Sequence, residues 1–275
     1  MATATTCRLG LIGAGNMGAA LLRGFLQHGL LRPQEVLICD VEPQRQQALA
    51  EELDVKTATA RSLVQRCETV LLAVKPQSLP TLLEDLRDVL RPEQLVISIA
   101  AGVSLTWLGK LIGPNTPLVR VMPNLLCTVG ESASAFVATP ETTKEQLQWV
   151  EALLRAVGLA LPVEEKLLDA VTGLSGSGPA FAALFCEALA DGGVAAGLPR
   201  EMAVRLAAQT LVGTGQWILS QGAPAQLKDA VTSPQGTTIA GLEVLEREGV
   251  RGAVLQAVLA AARRSAELAR DSDQS

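Results

Sequence analysis

The feature that most constrains the fold is a glycine-rich turn directly after a short apolar run. The run covers residues 8–12, a helical pattern of apolar residues covers 19–27, and the turn between them is Gly13, Ala14, Gly15, Asn16, Met17 and Gly18. In a strand–turn–helix of this kind the first glycine makes the turn, the second admits a pyrophosphate and the third allows close helix packing. The helix N-terminus then faces the anion. We therefore expect a Rossmann-type dinucleotide-binding unit here.

An acidic residue follows the next apolar run. That run covers residues 36–39 and ends at Asp40, about 20 residues after Gly18, where a carboxylate can accept a hydrogen bond from a ribose hydroxyl. Asp40 would repel a 2′-phosphate, whereas Arg45, one helical turn further on, would attract it. A solvated turn residue is the alternative for Asp40. The sequence therefore predicts a dinucleotide cofactor without deciding whether its ribose carries a 2′-phosphate.

Strand-like and helix-like segments alternate over the first 164 residues. Apolar runs at 69–74, 95–101, 117–122 and 134–137 are separated by helical patterns, and this alternation predicts a doubly wound α/β sheet. After residues 161–163 no strand-like run recurs, and helices punctuated by glycine and proline follow. We expect a Rossmann-type domain over residues 1–164 and an all-helical domain over residues 165–275.

Three turns at the C-terminal ends of predicted strands have unusual sequences. Ligands of α/β sheets bind along that edge. Lys75 would contact a cofactor phosphate or ribose there, although a lysine after a strand is usually only solvated. The residues that we assign to the cofactor from these turns are Ala73, Val74, Lys75, Pro76, Ala100, Ala101 and Asn124.

Two segments of the helical half also have the composition of binding loops. Residues 175–179 begin with Ser175 and Gly176, and their glycines would let a flat ring approach the backbone, unless they form a plain helix-entry turn. Residues 228–238 precede a helix, so free N–H groups and hydroxyls converge on a site suited to a small carboxylate. An ordinary cap by Ser233 or Thr237 is the alternative.

The composition limits the acid–base chemistry of such a site. The chain has no tyrosine and a single histidine, so a tyrosine general acid is impossible. His28 directly precedes Gly29 at a predicted helix end, where a capping role is expected. One histidine without suitably spaced cysteines or carboxylates predicts no metal site.

Charge and hydropathy bear on partners and location. A net charge of −5 without a basic run argues against nucleic acid. The longest uncharged stretch, residues 206–227, contains several glutamines and a proline, so no membrane span is expected. The cysteines form no C-x-x-C pair and no leader-like segment precedes residue 8, which favours a cytoplasmic protein.

Together these motifs resemble the pyrroline-5-carboxylate reductase family. The resemblance covers essentially the whole chain and rests on the glycine turn, residues 73–76, 169–180 and 190–194, and the segment 233–238. It implies reduction of the cyclic imine 1-pyrroline-5-carboxylate to L-proline with NADPH or NADH. It also implies an N-terminal Rossmann domain and a helical C-terminal domain that forms a homodimer, often assembled further into five dimers.

The resemblance implies roles for the segment before the last helices. Thr238 would hydrogen-bond to the ring nitrogen, and Ser233, Gly236 and Thr237 would hold the substrate carboxylate. A cyclic imine is basic enough to arrive protonated or to take a proton from water or a hydroxyl, so hydride addition needs no tyrosine or histidine acid.

The chain departs from the family pattern at a few positions. Leu125 and Leu126 stand where Thr-Pro is usual, Gln235 stands where glycine is usual, and Ala230 stands where asparagine is frequent.

Two other functions fit the same layout. A related hydroxyacid dehydrogenase would polarise a hydroxyl with a lysine of the helical domain, for which Lys166 is the candidate, although its place after the last strand favours a solvated position. A nucleotide-binding scaffold without turnover is the other alternative.

Overall fold

The computed structural model describes residues 7–113 and 115–273, with side chains described up to residue 270. The chain forms two compact units. One contains the chain up to Gly176 together with its C-terminal end from Ala260, and the other contains Ser177–Leu259.

The first unit is built on an eight-stranded sheet of order β3-β2-β1-β4-β5-β6-β7-β8. Every neighbouring pair is parallel except β6 and β7, so β7 and β8 run opposite to the first six strands. The carboxyl ends of β1 to β6 therefore share one edge. The strands are β1 Cys7–Ile12, β2 Val36–Cys39, β3 Lys56–Thr57, β4 Cys67–Leu72, β5 Leu95–Ser98, β6 Leu118–Met122, β7 Ser132–Ala138 and β8 Gly158–Pro162.

Helices alternate with these strands, as the sequence predicts for a doubly wound fold. Short polar side chains begin several of them: Thr59, Ser104 and Thr143 each accept a hydrogen bond from a first-turn N–H. The helices of this unit are α1 Asn16–Gln27, α2 Pro43–Leu53, α3 Ala60–Arg66, α4 Leu79–Leu86, α5 Leu105–Ile112, α6 Lys144–Arg155 and α7 Leu168–Val171. Single 3₁₀ turns cover Pro33–Glu35, Pro76–Ser78, Leu125–Val129 and Glu165–Leu167.

The sheet has a hydrophobic core on each face. Along β4, Leu71 belongs to the core that includes α1 and α6, whereas Val70 and Leu72 belong to the core that includes α3, α4 and α5. Successive strand residues point to opposite faces. A strand covered on both sides is therefore apolar at every position, which accounts for the continuous run in the sequence.

The compact units divide after Gly176, whereas the sequence predicts a domain boundary at residue 164. Glu165 explains part of the difference, because its Oε1 accepts from the Leu105 N–H at 2.8 Å and from Arg120 Nη1 at 3.0 Å. Arg120 is buried in β6. Residues 165–176 are thus anchored on the sheet by contacts that span 45 to 60 residues.

The second unit contains helices throughout its described residues. They are α8 Gly178–Ala195, α9 Arg200–Gln221, α10 Pro224–Ala230, α11 Thr237–Arg247 and the first part of α12 Val250–Asp273. Its small core is formed by Ala190, Ala203 and Ala207 where α8 meets α9.

The end of α12 belongs to the first unit. Ser265, which is buried, donates its hydroxyl to Asp169 Oδ1 at 2.7 Å. Among the helices of the described residues, not one combines the length and apolar character needed to cross a bilayer.

Candidate active site

The turn after β1 gives its three glycines different surroundings. Gly13 has φ +104°, and a Cβ there would lie 2.5 Å from the Ala73 carbonyl oxygen. A Cβ on Gly18 would lie 2.2 Å from the Gly13 carbonyl oxygen, whereas a Cβ on Gly15 would meet nothing within 4 Å. As the sequence predicts, Gly13 makes the turn, Gly15 is the open position and Gly18 packs closely. Gly15 is also the N-cap of α1, so the N–H groups of the first helical turn adjoin this open space.

Backbone hydrogen bonds hold the neighbouring strand ends together. The Gly13 N–H donates to the Cys39 carbonyl at 2.8 Å, and the Ala73 N–H donates to the Ile12 carbonyl at 2.8 Å. The Ile99 N–H donates to the Leu72 carbonyl at 3.1 Å in the same way. The turns after β1, β2, β4 and β5 are therefore brought together along one edge, as predicted.

Asp40 braces the glycine turn. Its Oδ2 accepts from the Ala14 N–H at 2.6 Å and its Oδ1 accepts from the Glu42 N–H at 2.8 Å. Gln46 fixes the same residue, because its Oε1 accepts from the Asp40 N–H at 2.8 Å, and the Asp40 side chain is only 5% exposed. Spacing predicted that Asp40 faces a ribose but did not predict that it holds the turn.

A surface cavity of about 560 Å³ lies beside Asp40, at the ends of β2 and β3. Cys39 is half-buried there, and burial, together with the Asp40 carboxylate, raises the pKa of its thiol. Cys39 is therefore protonated near neutral pH and is a poor nucleophile. The cavity is lined by Cys39, Asp40, Pro43, Gln46, Thr57, Ala58, Thr59 and Ala60.

The turns after β4 and β5 differ in what they expose. Lys75 is exposed, and its carbonyl accepts from the Ser78 N–H at 2.9 Å to begin a 3₁₀ turn. Ala73, Val74 and Pro76 are half-buried. After β5, Ala100 is buried and Ala101 is exposed. Lys75 thus has a side chain free to reach a ligand at this edge, whereas Ala100 helps to shape it.

Asn124 and Ser175 are brought into direct contact. Asn124 is buried, and its Nδ2 donates to the Ser175 carbonyl at 2.9 Å while its Oδ1 accepts from the Leu126 N–H at 3.1 Å. The Asn124 N–H donates to Ser132 Oγ at 3.3 Å. Both ends of the Asn124 amide are therefore engaged with backbone, which indicates a role in positioning the Ser175 segment.

The Ser175 segment is a π-helical turn over Thr172–Gly176 rather than a plain helix entry. Ser175 Oγ donates to the Val171 carbonyl at 3.1 Å, and a Cβ on Gly176 would lie 2.7 Å from the terminal methyl of Met122. π-Turns are frequent at functional sites. Gly176 is close to the end of β6, where Asn124 also lies.

In the second unit, the beginning of α11 has the form predicted for an anion site. Gly236 is its N-cap and donates its N–H to the Ser233 carbonyl at 3.0 Å. The first bond of the helix runs from the Ala240 N–H to the Gly236 carbonyl, so the N–H groups of Thr237 and Thr238 lie in the turn before it. Thr237 is exposed and Thr238 is half-buried.

Gln235 has φ +56°. This left-handed conformation favours glycine, which is the residue usual in the family pattern at this position. The departure at residue 235 therefore falls on a backbone position where a side chain is strained.

Two side chains that other mechanisms would need are engaged elsewhere. Lys166 Nζ pairs with Glu164 Oε2 at 2.6 Å and its side chain is 72% exposed, so the lysine of the dehydrogenase alternative is a solvated residue. His28 is the C-cap of α1, and its Nδ1 donates to the Gly24 carbonyl at 2.9 Å. The predicted capping role of His28 is confirmed.

Comparison with known proteins decides the family. A family model described as pyrroline-5-carboxylate reductase dimerisation matches residues 165–268. A model described as NADP oxidoreductase, coenzyme F420-dependent, matches residues 8–102. The pyrroline-5-carboxylate reductase of Methanosarcina acetivorans is 44% identical over 95% of this chain and 97% of its own length. The chain belongs to the pyrroline-5-carboxylate reductase family.

Solved structures of the family have the same fold. A pyrroline-5-carboxylate reductase from Coxiella burnetii matches with a TM-score of 0.90 at 33% identity, covering 96% of this chain and 98% of that one. The Plasmodium falciparum enzyme, solved with NADP bound, matches with a TM-score of 0.86 at 29% identity, covering 97% and 100%. The predicted α/β fold class and the family resemblance are confirmed, and neither alternative function is favoured.

Proposed function

We propose that this chain reduces 1-pyrroline-5-carboxylate to L-proline with NADPH or NADH, the last step of proline biosynthesis. The observation that carries the proposal is that one chain of this family contains two kinds of binding feature. An open glycine turn at the N-terminus of α1 suits a dinucleotide, and an N–H- and hydroxyl-bearing N-terminus of α11 suits a small carboxylate.

The residues of the glycine turn fit a dinucleotide. Gly15 leaves space at its Cβ position, and the first-turn N–H groups beside it are donors suited to a pyrophosphate. When bound, the nicotinamide cofactor supplies the hydride. Asp40 would accept from the adenosine ribose while holding Ala14 in place, and Lys75 would contact a phosphate or ribose. The full set that we assign to the cofactor is Gly13, Gly15, Asn16, Met17, Gly18, Asp40, Ala73, Val74, Lys75, Pro76, Ala100, Ala101, Asn124, Ser175 and Gly176.

The substrate is assigned to the segment before α11. Ser233, Gly236 and Thr237 would bind the carboxylate through N–H and hydroxyl groups, and Thr238 would hydrogen-bond to the ring nitrogen. Since an imine can arrive protonated, Thr238 has to orient and stabilise the nitrogen rather than act as a strong acid. This chemistry accounts for a chain without tyrosine whose one histidine caps a helix.

We assign substrate binding and dimerisation to the helical half, residues 165–275. We further propose that five dimers form the higher assembly and that the protein is cytoplasmic. Large apolar side chains are exposed on α9 at Leu206, Val212 and Leu219, and Val212 and Leu219, which are seven residues apart, lie on one side of the helix. Exposed apolar side chains of this size are suited to burial against a second copy.

The test is the formation of proline from synthetic 1-pyrroline-5-carboxylate, followed together with oxidation of NADPH and NADH. We expect both signals to depend on the imine, with no oxidation of NADPH or NADH by 2-keto acids and, in a separate assay, no reduction of NADP⁺ or NAD⁺ by 3-hydroxy acids. Turnover of those acids without proline would establish the dehydrogenase instead. Nucleotide binding with no turnover of any of these substrates would establish the scaffold.

A further inference from the structure

An exposed ion pair covers a buried carboxylate just beyond the end of β2. Arg45, in the first turn of α2, pairs through Nη2 with Glu42, and its Nη1 lies 3.6 Å from Asp40 Oδ1. The side chains of Arg45 and Glu42 are 47% and 53% exposed, in contrast to Asp40. A single guanidinium is therefore shared by two carboxylates, of which one is fixed and the other is free to move.

This cluster lies where a Rossmann-type unit meets the 2′ position of the adenosine ribose. An acidic residue at the end of the second strand serves a free 2′-hydroxyl, and a nearby arginine serves a 2′-phosphate. Asp40 both lines the cavity beside β2 and β3 and carries the contact to Arg45. Of the other exposed residues between Asp40 and Arg45, Val41 and Pro43 have no hydrogen-bonding side chain and Gln44 is uncharged, so Arg45 is the cation of this segment.

The two carboxylates of the cluster, Asp40 and Glu42, differ in how firmly the protein holds them. Asp40 directs its two oxygens at the Ala14 and Glu42 N–H groups, which compensate part of its charge. Glu42 accepts from Arg45 at the surface, and such exposed pairs hold their partners weakly. A phosphate dianion offers a guanidinium two parallel acceptors and more charge than one carboxylate. It would therefore compete effectively with Glu42 for Arg45.

We propose that Arg45 is the residue of this chain that binds the 2′-phosphate of NADP(H), and that Glu42 competes with the phosphate for it. The Glu42–Arg45 pair then sets the preference between NADPH and NADH, while Asp40 supports both by bracing the turn. This inference rests on the proposed dinucleotide site and identifies the residue that discriminates within it.

The experiment measures dissociation constants by calorimetry for NADP⁺ and NAD⁺, and for the fragments 2′,5′-ADP and 5′-AMP. The variants are Arg45→Met and Glu42→Gln, each exposed and therefore compatible with folding. We expect Arg45→Met to weaken NADP⁺ and 2′,5′-ADP about tenfold or more, with NAD⁺ and 5′-AMP changed less than about twofold. Glu42→Gln should tighten the two 2′-phosphorylated ligands about threefold or more because it removes the competitor.

A matched control removes the same charge elsewhere. Arg155 pairs with Glu151 on α6 at 2.6 Å and is exposed, so Arg155→Met should leave the ratio of the NADP⁺ and NAD⁺ constants unchanged. Equal effects of Arg45→Met on both nucleotides, or none, would overturn the inference. The same holds if Glu42→Gln fails to improve NADP⁺ binding. If the unaltered protein binds neither nucleotide, the proposed function fails together with the inference, whereas normal proline formation with an inert Arg45→Met overturns the inference alone.

Discussion

Gly15→Ala separates nucleotide binding from folding. Gly15 has φ −68° and ψ −179°, which an alanine adopts without strain, and its Cβ would meet nothing within 4 Å. Replacing a glycine at such a position stabilises a protein by about 0.4–1 kcal/mol through the unfolded chain. Alanine is a poorer N-cap than glycine by a comparable amount, about 0.5–1 kcal/mol. The two effects nearly cancel, so we expect a change in Tm of less than about 2 °C.

Binding should respond differently, because the new methyl group occupies the space in front of the first-turn N–H groups of α1. Each hydrogen bond from such a group to a phosphate contributes about 1.5–3 kcal/mol. Loss of one therefore raises the dissociation constant for NADP⁺ and NAD⁺ by roughly 10- to 150-fold. Both nucleotides carry the pyrophosphate, so their ratio should be preserved.

The control is Gly13→Ala, which should damage both properties. The φ of +104° and the 2.5 Å approach to the Ala73 carbonyl cost about 1–3 kcal/mol, so Tm and binding fall together. Thermal unfolding and calorimetric titration on each variant suffice. Normal nucleotide affinity in Gly15→Ala would refute the placement of the pyrophosphate at this turn, and a large loss of Tm would refute the open position of Gly15.

Two predictions concern the helical half. Thr238→Ala should lower kcat/KM for the imine by about 10- to 100-fold, since a hydrogen bond to the nitrogen strengthens in the transition state, while the coenzyme dissociation constant stays constant. Thr237→Ala should mainly raise KM, and steady-state kinetics with unchanged kcat/KM for Thr238→Ala would assign the nitrogen contact to another group. Leu219→Glu places a charge on a side chain that is 81% exposed, so sedimentation velocity should show weaker self-association; a stable, active monomer of the unaltered protein would contradict the dimer.

The parts of the fold that sequence predicts well are those with local causes. Gly13 needs a left-handed backbone and Gly18 needs room for a neighbouring carbonyl. Both requirements appear in the sequence as glycines at a fixed spacing. β4 is predictable because the two cores demand apolar residues at successive positions. These constraints act over a few residues, and a single sequence records them.

The ends of helices and strands, and the shortest elements, are harder to predict from the sequence. The runs at 69–74 and 95–101 predict strands, but β4 ends at Leu72 and β5 at Ser98. The reason is that both turns are partly buried, the one after β4 against the glycine turn, and therefore keep an apolar composition. The two residues of β3 and the seven-residue helices α3 and α10 are too short to show a clear periodicity.

The site's hydrogen-bond partners could not be predicted, because they join residues distant in sequence. Asp40 reaches Ala14 across 26 residues, and Asn124 reaches Ser175 across 51. Spacing places Asp40 and Asn124 at strand ends, yet gives no sign that both are occupied with backbone groups. The one available signal was an asparagine after proline at the end of β6, whose amide would be buried if the chain turned back there.

The turn before α11 shows why a departure from the family pattern is informative. Asp54, Asn115 and Gln235 are the described non-glycine residues with positive φ, and aspartate and asparagine tolerate that region well. Gln235 lacks that tolerance. The turn is held by the hydrogen bond from the Gly236 N–H to the Ser233 carbonyl. It is also tightly packed, since a Cβ on Gly236 would lie 2.3 Å from Ser233 Oγ. The strain at Gln235 is therefore imposed by the neighbours that we assign to the substrate carboxylate. The departure from the family pattern at residue 235 thus coincides with a strained backbone position in the segment that we propose binds the substrate.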